Sequence, residues 1–298
     1  MKSKIVITGG SGFIGSKLVE RACELGYEVV NLDLKERTFL GAESRICDIR
    51  DSESVLKSFP KDVSVLFHLA GLTSVLQSKL DPQGVFNSNV IGTQNLLEAS
   101  RISGVETVIL ASSNAVVGGN DTHEIDEMGS LSPLTPYGAT KAAAEMLLSA
   151  YSGSYDMRTS AIRLTNVYGL DMFAKDSIMP RIMRALLGGN PIEVYGDGQQ
   201  WRDFVFASDV VDAFFLALDL KIIGPLTIGF GESYTVLEIL ESVERVTGLA
   251  VPYIMGPAKA GEMRGVRVNI QRARSYGFTP KVSLDSGIEM LWQDFKDQ

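Results

Sequence analysis

Histidine is nearly missing from this chain of 298 residues, which carries two, His68 and His123. Two imidazoles exclude a multi-histidine metal centre and supply histidine-based catalysis poorly. Cysteine is equally scarce: Cys23 and Cys47 form no C-x-x-C pair and no ligand spacing, so neither a disulfide scaffold nor a thiolate metal site is expected. Nowhere does the chain run for 18 uninterrupted apolar residues, so no membrane span is expected. Basic residues are outnumbered, 28 Lys and Arg against 36 Asp and Glu, and the formal net charge of −8 disfavours general binding to nucleic acid. The start, Met1-Lys2-Ser3-Lys4, leads straight into strand-like Ile5-Val6-Ile7 without a leader pattern, and a cytoplasmic location is the expectation.

What is present is an alternation of short apolar runs and helical patterns. Strands are predicted at 4–8, 28–33, 44–47, 63–68, 107–112 and 158–163, and helices at 12–25, 52–58, 85–103 and 137–153. Most of the strand runs lack polar alternation, as strands covered on both faces do. The expected fold class is therefore α/β, a Rossmann-type doubly wound parallel sheet with a smaller C-terminal α/β substrate-binding region. The predicted division is 1–165 for the dinucleotide domain, with 203–223 returning to it, and 166–298 mainly for substrate. In the second part Gly and Pro cluster between short helices predicted at 177–187, 208–218, 236–246 and 283–295.

The chemistry begins with Gly9-Gly10-Ser11-Gly12-Phe13-Ile14-Gly15, between the first strand and the first helix. Gly10, Gly12 and Gly15 satisfy G-x-G-x-x-G, which allows a tight turn and close approach of backbone to a pyrophosphate. Amides at the start of the helix then face the phosphates. Asp33 ends the second strand, where a carboxylate accepts from ribose hydroxyls and repels a 2′-phosphate; NAD is favoured over NADP. Asp48, followed by Ile49, is a candidate for the adenine, or else a solvated loop acid.

Tyr137 and Lys141 stand four residues apart at the head of an Ala-rich stretch, Pro136-Tyr137-Gly138-Ala139-Thr140-Lys141-Ala142-Ala143-Ala144-Glu145. On a helix the two share a face. A free tyrosine has a pKa of roughly 10, and a neighbouring cation lowers it, so the spacing can turn a phenol into a base. The same spacing also occurs on ordinary surface helices.

Taken together, these motifs resemble the extended short-chain dehydrogenase/reductases of the NAD-dependent nucleotide-sugar epimerase/dehydratase group. The resemblance runs nearly end to end: Thr8 to Gly15, His68-Leu69-Ala70-Gly71, Asn89-Val90-Ile91-Gly92-Thr93-Gln94-Asn95, Ser112-Ser113, Tyr137 with Lys141, Arg163 to Gly169, and Gly196 to Phe204. It implies that Ser113, Tyr137 and Lys141 are catalytic. It implies NAD contacts from Gly9, Gly12, Phe13, Ile14, Gly15, Asp33, Asp48, Ile49, Leu69, Ala70, Gly71 and Asn89, besides Tyr137 and Lys141. Asn166 and Arg202 resemble residues that grip the diphosphate of a nucleotide-diphospho sugar. Lys259 falls where the group often has arginine, near Glu262, and Thr73 and Ser74 edge the sugar pocket or simply pack.

Departures from the group's pattern bear on the reaction. Its dehydratases place acidic residues just after the active-site hydroxyl, whereas this chain has Asn114 and Ala115. That suits a UDP-glucose/UDP-galactose type 4-epimerase working through a transient 4-keto sugar. The alternatives are a nucleotide-4-keto-sugar reductase with the same three residues, and an NAD-binding regulatory protein without turnover. Val117 in place of the usual tyrosine and Asn269 in place of the usual aspartate concern the sugar preference. The resemblance also implies a homodimer through the helices at 85–103 and 137–153, with Leu96, Leu97, Ala143, Met146 and Leu147 as apolar surface or as core.

Overall fold

The computed structural model describes residues 3–118, 124–258, 265 and 267–298. The first strands are β1 (Lys4–Thr8), β2 (Glu28–Asp33), β3 (Ala42–Ile46), β4 (Val63–His68), β5 (Thr107–Ser113) and β6 (Arg158–Leu164). Between them run α1 (Phe13–Glu24), α2 (Ser52–Ser58), α3 (Val75–Leu80), α4 (Pro82–Phe86), α5 (Gly92–Ile102) and α6 (Pro136–Ser154). Next come β7 (Asn166–Tyr168), α7 (Ile178–Leu186), β8 (Ile192–Tyr195), β9 (Trp201–Phe206), α8 (Ala207–Asp219), β10 (Gly224–Ile228) and β11 (Ser233–Thr235). The chain ends with α9 (Val236–Thr247), β12 (Tyr253–Gly256), α10 (Gln271–Ser275) and α11 (Leu284–Lys296).

Among the described residues the contacts form two compact units, one of 3–118, 127–164 and 211–226, the other of 124–126, 165–210 and 227–298. A seven-stranded sheet has the order β10-β6-β5-β4-β1-β2-β3. β1 pairs in parallel with β2 on one side and β4 on the other, and β2–β3, β4–β5 and β5–β6 are parallel as well. The chain thus winds outward from β1 to β3, returns to β4 and winds outward the other way. The order reverses between β1 and β4, where such sheets bind ligands beyond the strands' carboxyl ends.

The sheet forms because its strands have no polar face to give to water. Ile5, Val6 and Ile7 are all fully buried, and Val30, Leu32, Leu66, Val108 and Leu110 join Leu96, Leu97, Ala144 and Leu148 in one apolar cluster. Leu96 and Leu97 therefore belong to the core and offer no surface to a partner, while Met146 stays exposed. Phe214 and Phe215 of α8 pack edge-on against Phe67 of β4.

Two expectations are corrected. The third strand lies at Ala42–Ile46, starting two residues and ending one residue earlier than its pattern suggested, because register with β2 pairs Val29 with Ala42 and Asp33 with Ile46. The helix expected over 85–103 runs without a gap from Pro82 to Ile102 but is not α-helical throughout. α4 passes into a wide π-helical turn, Asn87–Ile91, before α5 begins. The wide turn holds Asn89 buried, where its side-chain amide bonds both backbone groups of Leu72. A π-turn accommodates a residue that the regular helix would rotate away.

The second unit holds a three-stranded sheet, β11-β9-β7, and the two-stranded pair β12-β8. α9 opens with a capping box between Thr235 and Glu238 and stops at Gly248, whose φ of 71° is the left-handed conformation that favours glycine. Asp203, buried in β9, accepts from Thr165 Oγ1 and from the amides of Phe230 and Gly231, which ties β9 to the segment after β10.

Candidate active site

The turn between β1 and α1 is glycine for measurable reasons. A Cβ on Gly9 would lie 2.6 Å from the Ala70 nitrogen, and one on Gly15 would lie 2.1 Å from the Gly9 carbonyl oxygen. Gly12 caps α1 and supplies no side-chain hydrogen bond to the helix. A glycine cap leaves the leading amides of a helix to an external acceptor, the arrangement a pyrophosphate needs. Phe13 and Ile14 form the first turn of α1. The cradle thus fits a dinucleotide.

Asp33 closes β2 with its carboxylate accepting from the Ser11 and Lys35 amides, both at 3.0 Å. That fixes the acid beside the glycine turn. Asp48 is bound to Arg50, whose guanidinium approaches to 2.6 Å and holds the carboxyl below its ordinary pKa. Ile49 is buried, and its side chain packs where a Cβ on Gly92 would lie. Leu69, Ala70 and Gly71 follow β4 directly; the Leu69 and Ala70 amides bond to Thr8. Asn89 bonds Leu72 and donates to Thr140 Oγ1 at 3.0 Å, so its amide joins the loop after β4 to α6. Thr73 is exposed, and Ser74 spends its hydroxyl on capping α3 through the Gln77 amide.

The three candidate catalytic residues come together in the first unit. Ser113 ends β5 and its Oγ accepts from the Ala115 amide. Thr135 caps α6 through the Gly138 amide, which sets Tyr137 in the first turn. Tyr137 and Lys141 are both buried. Burial pushes the Tyr137 phenol above its ordinary pKa, and the neighbouring Ser113 hydroxyl pulls it part of the way back. The sequence led us to expect a net depression by Lys141; the net direction is upward instead, and the Lys141 ammonium donates to the Ala111 carbonyl at 2.9 Å. Burial lowers Lys141 to about 8, with Glu145 acting in the opposite direction.

His68 stands close to this group without being a base. Its Nδ1 lies 2.8 Å from Thr8 Oγ1 and its Nε2 2.9 Å from Thr93 Oγ1, while Thr93 donates to the Asn89 carbonyl. That donation leaves Thr93 as acceptor, so Nε2 carries the proton. Burial, with Lys141 nearby, lowers His68 to about 3. A neutral buried histidine destabilises the fold in acid, because the unfolded chain takes up a proton near pH 6.5 that the folded chain refuses. Stability is expected to be fully present above about pH 6.5 and to fall as the pH drops toward 3. Urea unfolding across that range is the measurement, and His68→Gln is expected to flatten the slope. An equal slope in both proteins would remove His68 as its cause.

Asn166 and Arg202 belong to the second unit, where they line a cavity of about 290 Å³ with Arg181, Tyr195 and Gln200. Asn166 donates to the Asp203 carbonyl at 2.8 Å, and Arg202 to the Trp201 carbonyl at 2.8 Å. Gln200 donates to the Tyr195 carbonyl, and its Oε1 is buried without a hydrogen-bond partner among the described residues. Two guanidinium groups and an unsatisfied acceptor suit a ligand carrying both phosphate and an N–H. Lys259 and Glu262 lie outside the described residues.

Sequence reasoning passed over Arg181, Gln200, Glu145 and the bonding of Ser112 and Arg163. Glu145 had a visible signal, since it continues the four-residue spacing of Tyr137 and Lys141. Gln200 had none, because its unpartnered oxygen exists only in three dimensions. Among the described residues no group of three or more His, Cys, Asp and Glu is placed to hold a metal.

A model of the NAD dependent epimerase/dehydratase family matches residues 5–226, well over half of the chain. The UDP-glucose 4-epimerase of Mycolicibacterium smegmatis is 33% identical over 319 residues, covering 99% of each chain. Solved structures agree: UDP-glucose 4-epimerase of Thermotoga maritima with UDP-glucose superposes with a TM-score of 0.92 at 30% identity, covering 99% of each chain. UDP-glucose 4-epimerase of Thermus thermophilus in complex with NAD gives a TM-score of 0.91 at 32% identity, covering 98% of this chain and 99% of that one. The glycine turn at the switch point, the half-buried serine with a buried tyrosine and lysine, and these likenesses lead to one conclusion: the chain belongs to the NAD dependent epimerase/dehydratase family.

Proposed function

We propose that this chain is an NAD-dependent nucleotide-sugar 4-epimerase of the UDP-glucose/UDP-galactose type, working through a transient 4-keto sugar. The observation that carries the reading is the Ser113–Tyr137 hydroxyl pair, with Lys141 one turn along α6 and with Asn114 and Ala115 in place of acids. Interconverting C4 epimers needs one proton moved at one hydroxyl; it needs no acid or base at C5 or C6. NAD, when bound, supplies the acceptor for the C4 hydride and its return. Gly9, Gly12, Phe13, Ile14 and Gly15 would hold its pyrophosphate, Asp33 its adenosine ribose, and Leu69, Ala70 and Gly71 would line it. Tyr137 takes the 4-hydroxyl proton, directly or through Ser113, and gives it back. Lys141 would hold the nicotinamide ribose and favours the phenolate by its charge.

Asn166 and Arg202, joined by Arg181, would grip the diphosphate, a task that suits the planar fork of arginine. The unpartnered Oε1 of Gln200 suits the N–H of a base such as uracil. Thr73 is proposed at the edge of the sugar pocket, and Lys259 and Glu262 as further substrate residues. A homodimer is part of the proposal, supported by exposed Ile102 on α5 and exposed Met146 on α6. So is a cytoplasmic location; among the described residues no helix is long and apolar enough to cross a membrane.

The test is incubation with UDP-galactose, with and without added NAD. UDP-glucose is expected to accumulate with no net change in absorbance from reduced cofactor. No UDP-glucose even with NAD supplied would reject the substrate, and steady consumption of NADH with a 4-keto sugar would mark a reductase instead.

A further inference from the structure

Glu145 stands one turn beyond Lys141 on α6, and Lys141 one turn beyond Tyr137, so the three share a helix face. The Glu145 side chain is 5% exposed and receives Ser112 Oγ at 2.5 Å, Arg163 Nε at 3.0 Å and Arg163 Nη2 at 2.7 Å. Ser112 comes from β5 and Arg163 from β6, so the two strands beneath α6 fix this one carboxylate. Such a pair is costly to desolvate, and packed apolar residues of similar volume often serve stability as well or better. Its position behind Lys141 therefore calls for a reason other than packing.

The groups around Lys141 supply that reason. α6 presents Tyr137 and Glu145, β4 presents His68, β5 presents the Ala111 carbonyl, and the Lys141 ammonium lies 3.7 Å from where a Cβ on Gly71 would be. His68 is neutral, held by its two threonines. Glu145 is the charge that opposes the burial of Lys141.

We propose that Glu145, locked by Ser112 and Arg163, is a positioning residue: a fixed counter-charge that keeps Lys141 an ammonium at the pH where Tyr137 works as a base. The link to turnover rests on the epimerase reading, whereas the effect on Lys141 does not. Without Glu145, burial acts on Lys141 unopposed, the amine loses its proton at lower pH, and the field that favours the phenolate goes with it.

The experiment follows the 13Cε resonance of Lys141 against pH in NAD-loaded protein, with the peak identified by its loss in Lys141→Arg. In Glu145→Gln the midpoint is expected to fall by about one unit or more. In Glu145→Asp, which keeps the charge, most of that loss is expected to be restored. The alkaline limb of kcat for UDP-galactose is expected to move down with the midpoint. A merely structural residue would lower yield and stability and leave both in place. Should Glu145→Gln not fold, the doubly neutral E145Q/R163M variant removes both halves of the ion pair and is expected to show a downward shift that is smaller, because losing the Arg163 cation offsets part of the loss of the carboxylate. A Lys141 midpoint equal to that of the unaltered protein would overturn the proposal. Absence of UDP-sugar turnover in the unaltered protein would instead count against the epimerase reading and leave the titration decisive for Glu145.

Discussion

Replacing Tyr137 with Phe is expected to lower kcat for UDP-galactose by about 10²–10⁴-fold, the usual contribution of a positioned acid–base group, while NAD stays bound. Phenylalanine keeps the ring that Tyr137 buries, so packing at the head of α6 is preserved. What goes is the hydroxyl that pairs with Ser113. Ser113 cannot replace it, because a neutral serine hydroxyl is far too weak a base to keep the 4-hydroxyl proton and passes it on only if a base such as the phenolate stands behind it, and His68 is buried and neutral with both ring nitrogens engaged. The nearest carboxylate along the helix, Glu145, is occupied by Ser112 and Arg163. The measurement is the initial rate of UDP-glucose formation together with the cofactor content and melting temperature of the variant. A folded, NAD-loaded Y137F with near-normal turnover would refute the role of the phenol. Loss of NAD along with activity would show that the hydroxyl holds the cofactor and would leave its acid–base share undecided.

The legible parts of this molecule are those where one physical demand dominates. β1, β2 and β4 lie where their apolar runs lie, residue for residue, because a strand buried on both faces admits little else. The G-x-G-x-x-G turn is legible for the same kind of reason, since the space at Gly10 and Gly15 admits no side chain. Legibility falls off where a tertiary contact decides. β3 is an edge strand whose register comes from β2, not from its own pattern. The π-helical turn within the helix expected over 85–103 comes from Asn89 reaching Leu72, a contact 17 residues apart. β7, β8, β11 and β12 are three or four residues long, too short to carry a period.

At the site, the sequence pointed to Tyr137 and Lys141 by their spacing and to Ser113 by the family resemblance. It could not show that Lys141 bonds the Ala111 carbonyl or that burial pushes Tyr137 up. Nor could it show that Ser74 caps a helix or that Asp48 pairs with Arg50. Hydroxyls and carboxylates fit many roles, and their neighbours in space choose among them.

Gly15→Ala is expected to deprive the protein of its bound NAD, and the reason is geometric. The added methyl would lie 2.1 Å from the Gly9 carbonyl oxygen, 2.8 Å from the Gly9 carbonyl carbon and 2.9 Å from Gly10 Cα. All three are backbone atoms, so no side chain can swing aside to make room. The same Gly9 carbonyl accepts the Gly12 amide at 3.0 Å, and Gly9 itself sits at a φ of 74° that few other residues adopt. Opening the turn therefore moves α1 away from β1 and tilts the amides that would meet the pyrophosphate. Overpacking of this kind costs about 1–3 kcal/mol, which corresponds to roughly a 5- to 150-fold loss if it falls wholly on cofactor binding. Gly12→Ala is the informative contrast, because its methyl would meet only the Gly9 oxygen, at 3.1 Å, a distance that a small shift relieves. Equilibrium dialysis of each variant against NAD, with a thermal melt to confirm folding, ranks the two. A G15A protein that folds and keeps NAD as tightly as the unaltered chain would mean that the turn yields without loss, and that the dinucleotide is held by something other than the junction of β1 and α1.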